Sequence, residues 1–294
     1  MTAAASSAVG SRRRGTHPAP LRDVWRGAVV RAAWTAAARG AGFAATVVIA
    51  RSLPPAEAGL FFFAMAAAGF LGPVMALGLP PAVARLAAGS DPGGRAALLR
   101  KALATELGVG AAAVAALLGA WMAGLDAPGV PVAIMGLSIA LYGIVVGYLQ
   151  GTSRPLLAEA LSAGAQIAFL VLLLLLSPRS GSATLWWRVA LEAVVAITAL
   201  SLVFHRRLPD RVGPPPPLRP IALPLWTGVI AWTILHQADV LTLGVASGRG
   251  AVAVYAPILK LAELAAVPAG LLGPYVLPTV AALHRVRDLD GIRE

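Results

Sequence analysis

A chain of 294 residues that is 58% hydrophobic and only 13% charged, with mean hydropathy +0.78, carries more apolar surface than one soluble core of ordinary composition buries. Its net charge of +11 would point to nucleic acid if it lay on one soluble face, but the basic residues fall mainly between apolar runs. With no cysteine, disulfides, thiolate metal sites and cysteine nucleophiles are excluded. The solvent that fits is a bilayer, which a helix of roughly 20 largely apolar residues can cross.

Residues 1–22, with Arg12, Arg13 and Arg14 followed by Thr-His-Pro-Ala-Pro, show no signal-peptide pattern and read as a disordered cytoplasmic tail. Apolar runs of spanning length follow at about 27–50, 58–79, 102–124, 129–149, 156–176, 184–204, 222–246 and 251–279. Runs this long, without the alternation of barrel strands, satisfy their backbone groups only as helices. The expected fold class is therefore all-α, a polytopic membrane protein of about eight transmembrane helices. Asp91-Pro92-Gly93-Gly94 reads as a turn, and it lacks the Lys-Ser/Thr of a phosphate loop, so no nucleotide site is assigned. No metal or catalytic constellation emerges.

Orientation follows from the basic residues. With the N-terminus inside, seventeen of the 24 lie in cytoplasmic segments, whereas Arg51, Arg179, Arg188 and Arg249 lie outside and Arg31, Arg39 and Lys260 fall within spans. Residues 205–221 hold the run His205 to Pro220 with four consecutive prolines, which reads as a stiff cytoplasmic linker. It separates a first six-helix bundle, 23–204, from the start of a second, 222–294.

The opening hairpin has a loose echo. Ala58-Gly-Leu-Phe61 answers Val252-Ala-Val-Tyr255, and Pro80 with Arg85 answers Pro278 with Arg285. Six-helix parallel repeats are an architecture of secondary transporters that handle substrate between the halves. On that reading the second half should also hold six spans, and the chain is expected to be a truncated form.

Ile49-Ala-Arg-Ser-Leu-Pro-Pro-Ala-Glu-Ala-Gly-Leu-Phe61, Gly78-Leu-Pro-Pro-Ala-Val-Ala-Arg85, Ala238-Asp-Val-Leu-Thr-Leu-Gly244, Ala253-Val-Tyr255 and Leu277-Pro278 together resemble the polysaccharide-transport branch of the multidrug and oligosaccharidyl-lipid exporter superfamily. The resemblance covers most of residues 27–285. It implies a MATE-like inner-membrane flippase that moves lipid-linked oligosaccharide, a polysaccharide or O-antigen precursor, from the cytoplasmic to the outer leaflet by alternating access. Its partners would be the lipid-linked oligosaccharide, membrane lipid and polysaccharide assembly proteins, with no nucleic acid and no cofactor, coupling by protons or sodium being left open.

Ionisable groups within spans cost roughly 2.5–3.5 kcal/mol at the bilayer centre by insertion scales, and so become the candidates for function. In a flippase Arg39 would face a hydrated cavity and attract the anionic head group of the carrier; otherwise it forms a structural ion pair with a neighbouring helix. Arg31 lies nearer the cytoplasmic end, where snorkelling competes with an anion-binding role. His236 and Asp239 share a helix face, with Asp239 expected to couple or gate transport or to neutralise Arg39, and His236 to join it in coupling or gating or to make only a polar contact. Lys260 and Glu263 stand at i, i+3, either as an intrahelical pair or with Lys260 in the cationic lining and Glu263 in gating. Glu192 and Glu159 are weaker candidates, and Glu159 is expected to reach water. Gly143-Ile-Val-Val-Gly147 fits a small-residue packing face, and Trp186, Trp187 and Tyr275 fit an interfacial belt, Trp187 alternatively stacking on sugar.

The rivals are a cation-coupled drug or metabolite exporter of the same superfamily, a membrane polymerase or glycosyltransferase, and an inactive truncated product. Cationic spans disfavour export of cations. Short external loops with Glu57, Asp126 and Arg179 isolated disfavour an enzyme.

Overall fold

The computed structural model describes residues 21–122, 129–152, 154–205 and 217–265. Nearly all of the tail, residues 206–216 of the linker, and the repeat and family positions beyond 265, among them Tyr275, lie outside the described residues. These contain nine helices and no strand: α1 Leu21–Ser52, α2 Pro55–Met75, α3 Leu79–Gly89, α4 Pro92–Met122, α5 Gly129–Gly151, α6 Pro155–Leu176, α7 Gly181–Phe204, α8 Arg219–Ala246 and α9 Arg249–Ala265. Seven of them, all except α3 and α9, contain stretches long and apolar enough to cross a membrane. The expected all-α, polytopic class is what the chain forms.

Proline and capping residues set the starts. Proline occupies one of the first two positions of α2, α3, α6 and α8, where its missing N–H has no helical acceptor to lose. Ser180 caps α7 by accepting from the Ala183 N–H at 3.2 Å. The α7 N-terminus takes a second acceptor from a distance, as the Glu57 carboxylate receives the Gly181 N–H at 2.7 Å. Glu57 is thus not isolated: it ties the α1–α2 corner to α7.

Two expectations are corrected at the end of α2. Residues 80–101, expected to be a connection, form α3 and the first turns of α4. Leu79, Ala82, Val83 and Ala87 are buried while Arg85 is exposed, a helical stripe too short to span. The expected turn at Gly93-Gly94 is the first turn of α4, opened by the Asp91 carboxylate accepting from Gly94 N–H at 3.2 Å. The break between α2 and α3 instead falls at Leu77 and Gly78, with φ of 48° and 71°.

Close helix contact requires small residues. Gly143, Gly147 and Gly151 of α5 receive α3, and Cβ atoms at Gly147 and Gly151 would collide with the Pro80 and Ala84 carbonyls. Helix α2 is the spine on which α8 and α9 pack: Gly59 meets the backbone of Arg249, and Gly78 meets Ala222 and Trp226. The Trp226 indole N–H donates to the Val74 carbonyl at 3.1 Å, joining α8 to α2. One apolar core gathers Ile49, Phe61, Met135, Leu173, Leu185 and Val252, and a second forms around α3, α4 and α5. Outward-facing Leu174, Leu175 and Leu176 on α6 and Leu235 and Val245 on α8 are left for lipid. Trp186 is exposed, whereas Trp187 packs against the first core.

Candidate functional site

One charged residue each from α1, α6 and α7 and two from α9 meet around a cavity of about 330 Å³. Helical spacing explains the convergence. Thr35, Arg39, Gly42, Thr46 and Ile49 recur every three or four residues along α1, so their side chains form one stripe that lines the space. Glu159, Ser162, Gln166 and Phe169 do the same on α6. Helix α7 contributes Arg188, α9 contributes Lys260 and Glu263, and α2 closes the apolar side with Phe61 and Phe62.

Arg39 and Lys260, expected to bind an anion, both line this cavity. The Lys260 ammonium lies 2.9 and 2.8 Å from the two Glu263 oxygens, and Arg39 Nη1 lies 3.6 Å from Glu263 Oε2. Glu263 therefore serves both its own helix and α1. Arg39 is more than half exposed and faces the space with donors to spare.

Arg31 does not snorkel and does not line the cavity. Its guanidinium holds the Glu159 carboxylate at 2.9 and 3.0 Å, both side chains being largely enclosed, so Glu159 is a partner of α1 as well as part of the cavity lining. Thr35 adds a long contact to the other Glu159 oxygen at 3.5 Å. Nor does Asp239 answer Arg39. Its Oδ2 accepts from the Tyr255 hydroxyl at 2.6 Å and its Oδ1 from the Val240 N–H at 2.8 Å, which spends the carboxylate on α8 and α9. His236 stacks on Trp232 with ring centres 3.9 Å apart and bonds the Trp232 carbonyl through Nδ1 at 2.9 Å. Neither Asp239 nor His236 lines the cavity.

Arg188 is the site residue that sequence reasoning missed. Counted there as an external charge, it is buried inside the bundle, paired with Glu192 one turn on and held by Gln166 Oε1 at 3.2 Å. Its guanidinium lies 4.9 Å from the centre of the Phe169 ring, a cation–π contact in an enclosed setting. Its Nε has no partner among the described residues, although the side chain lines the cavity. The signal was present: Arg188 and Glu192 stand at i, i+4 in an otherwise apolar helix, as Lys260 and Glu263 stand at i, i+3.

Glu106 is a second surprise, fully buried on the face of α4 that also carries Leu103 and Gly110, with neither carboxylate oxygen bonded to any described residue. It does not line the cavity. Among the described residues, no three His, Asp or Glu side chains gather as a metal centre would require.

The arrangement can hold a compact anion by charge-assisted hydrogen bonds beside an apolar wall of tightly packed phenylalanines. A family model described as Polysaccharide biosynthesis protein matches residues 24–281 of the chain. No curated protein and no solved structure matches it.

Proposed function

The chain belongs to the polysaccharide biosynthesis protein family, and from that premise we propose that it carries a lipid-linked oligosaccharide across the inner membrane, from the cytoplasmic to the outer leaflet, by alternating access between two helical bundles. It does so as a multi-pass membrane protein whose N-terminus faces the cytoplasm. The observation that supports the reading is the cavity among the spanning helices, where Arg39, Arg188 and Lys260 face Glu159 and Glu263. Cations outnumber carboxylates there among the described residues, which favours an anionic cargo over a cationic compound.

Such a cargo has three parts with three different solvents. Its phosphate head group needs cations, and a guanidinium fork matches phosphate oxygens two at a time. Its sugars need hydrogen-bonding groups, which Thr35, Ser162 and Gln166 supply in the cavity lining. Its lipid tail stays outside, along helix surfaces that are already apolar. Arg39 and Lys260 bind the head group in this scheme, and Arg31 acts through Glu159 by holding α6 to α1. Asp239, through Tyr255, and His236 belong to the α8–α9 pair, whose movement against the first bundle gates the path. No covalent bond of the cargo changes, so in this reading the protein is a carrier for the assembly enzymes and not itself an enzyme.

The test is the leaflet distribution of lipid-linked oligosaccharide in cells that lack the protein. The wild type should restore delivery to the outer leaflet, whereas Arg39→Ala and Lys260→Ala should leave the precursor on the cytoplasmic side. Full delivery by both variants would rule out this site.

A further inference from the structure

The three ion-paired groups at the cavity are not equivalent. Arg188 and Glu192 are 5% and 13% exposed, and Arg31 and Glu159 are 18% and 22% exposed, so in both pairs acid and base are enclosed together, although Arg188 and Glu159 also border the cavity. The Glu263 group differs in its cations: Glu263 itself, at 21%, is as enclosed as Glu159, but Arg39 is 56% exposed and Lys260 45%, and both cations line the cavity together with it. Glu263 also joins separate elements, since Arg39 belongs to α1 and Lys260 to α9. It stands where a head-group anion would have to go to touch both cations at once.

We infer that Glu263 is a resident counter-anion: it occupies the phosphoanion's place between Arg39 and Lys260 while the cavity is empty, and an incoming phosphate or diphosphate displaces it. The inference rests on the anionic-cargo reading above. Two cations left bare among spanning helices would be costly, and a carboxylate supplied by α9 offsets one of their two charges without cargo. A diphosphate carries more charge and more acceptor oxygens than a carboxylate, and it fits the guanidinium fork. The 3.6 Å separation on the Arg39 side is the weak half of the bridge, so exchange begins there. Displacement removes the ionic tie between α1 and α9. Cargo binding thereby loosens contact between the opening hairpin and α9, and an empty carrier keeps it.

Binding of inorganic pyrophosphate and of farnesyl diphosphate to the purified protein in detergent, measured by calorimetry, tests this. The variants are Glu263→Gln, Glu159→Gln and Arg39→Gln. Glu263→Gln should tighten binding on the order of tenfold, because a competing charge at contact distance is removed. Glu159→Gln, which removes an equal charge from a closed pair, should change affinity by much less, and Arg39→Gln should weaken it. Glu263→Gln without effect, or an equal gain from Glu159→Gln, overturns displacement while Arg39→Gln still reports the anion site. If neither anion binds the wild type or any variant, the anionic-cargo reading fails and the inference falls with it. Binding of farnesyl diphosphate alone would assign the anion to a lipid, and the same comparison would then decide on that ligand. Glu263→Ala, with Glu263→Gln checked for monodispersity, guards against a folding artefact.

Discussion

Asp239 and Tyr255 face each other across α8 and α9 with carboxylate and phenol oxygens 2.6 Å apart. The strongest acid candidate in the second hairpin is thereby committed to its own neighbour. Tyr255→Phe should remove that donor and lower thermal stability by roughly 1–2 kcal/mol, whereas Asp239→Asn, which still accepts, should cost less. Were Asp239 the counter-charge of Arg39, the order would reverse. Thermal unfolding of the two variants in one detergent separates these outcomes.

Gly59 is a contact in which a single methyl group decides whether α2 and α9 can meet. Its missing Cβ leaves room for the Arg249 carbonyl, so Gly59→Ala should push the helices apart and destabilise the protein by about 1–3 kcal/mol. Gly40→Ala is the control, because nothing lies within 4 Å of a Cβ there. It should be neutral or slightly stabilising, alanine being favoured over glycine in a helix interior by roughly 0.5–1 kcal/mol. Equal melting temperatures for both variants would contradict the packing described.

The enclosed Arg188 and Glu192 pair makes an asymmetric prediction. Glu192→Leu alone strands a buried guanidinium and should cost about 3–5 kcal/mol, while the double change Arg188→Met with Glu192→Leu should recover most of that stability. Transport should not recover with it, because the double variant has lost a cavity cation. A double variant that folds and delivers cargo normally would show that Arg188 serves packing alone.

Glu106 has no bonding partner among the described residues although it is fully buried. An unsatisfied buried polar group costs roughly 1–3 kcal/mol, so Glu106→Met, similar in volume and apolar, should raise the melting temperature. A fall of comparable size would reveal a partner that this arrangement does not contain.

The orientation is open to direct measurement because the chain has no cysteine. Ser90→Cys, between α3 and α4, should react with an impermeant maleimide only from the cytoplasmic side, and Ser247→Cys, in the exposed turn between α8 and α9, only from outside. Reversed labelling would invert the topology and the proposed direction of transport.

Much of the fold is legible along the chain because a membrane imposes a one-dimensional rule: a helix needs enough consecutive apolar residues, and its backbone must be satisfied within it. Length and composition therefore sufficed for the seven long spans. They failed for α3, whose four buried residues make a stripe and not a run, and for the start of α4, where the charged first turns mask a helix that extends beyond the apolar stretch. The site was legible in part for the same reason. A charge inside an apolar run stands out, so Arg39, Lys260 and Glu263 could be named, whereas Arg188, seven residues into α7, was taken for an end-of-span residue.

What the sequence by itself determined is that these helices cross a membrane and that a few of them carry charge where charge is expensive. Partnership was decided only by the tertiary structure. It gave Arg31 to Glu159, Asp239 to Tyr255 and Arg188 to Glu192, and it set Glu263 between Arg39 and Lys260. The physical reason is that hydropathy depends on each residue's own transfer free energy, which order along the chain preserves. An ion pair depends on the distance between helices that may be far apart in sequence, and packing of glycines such as Gly59 against a neighbouring backbone sets that distance.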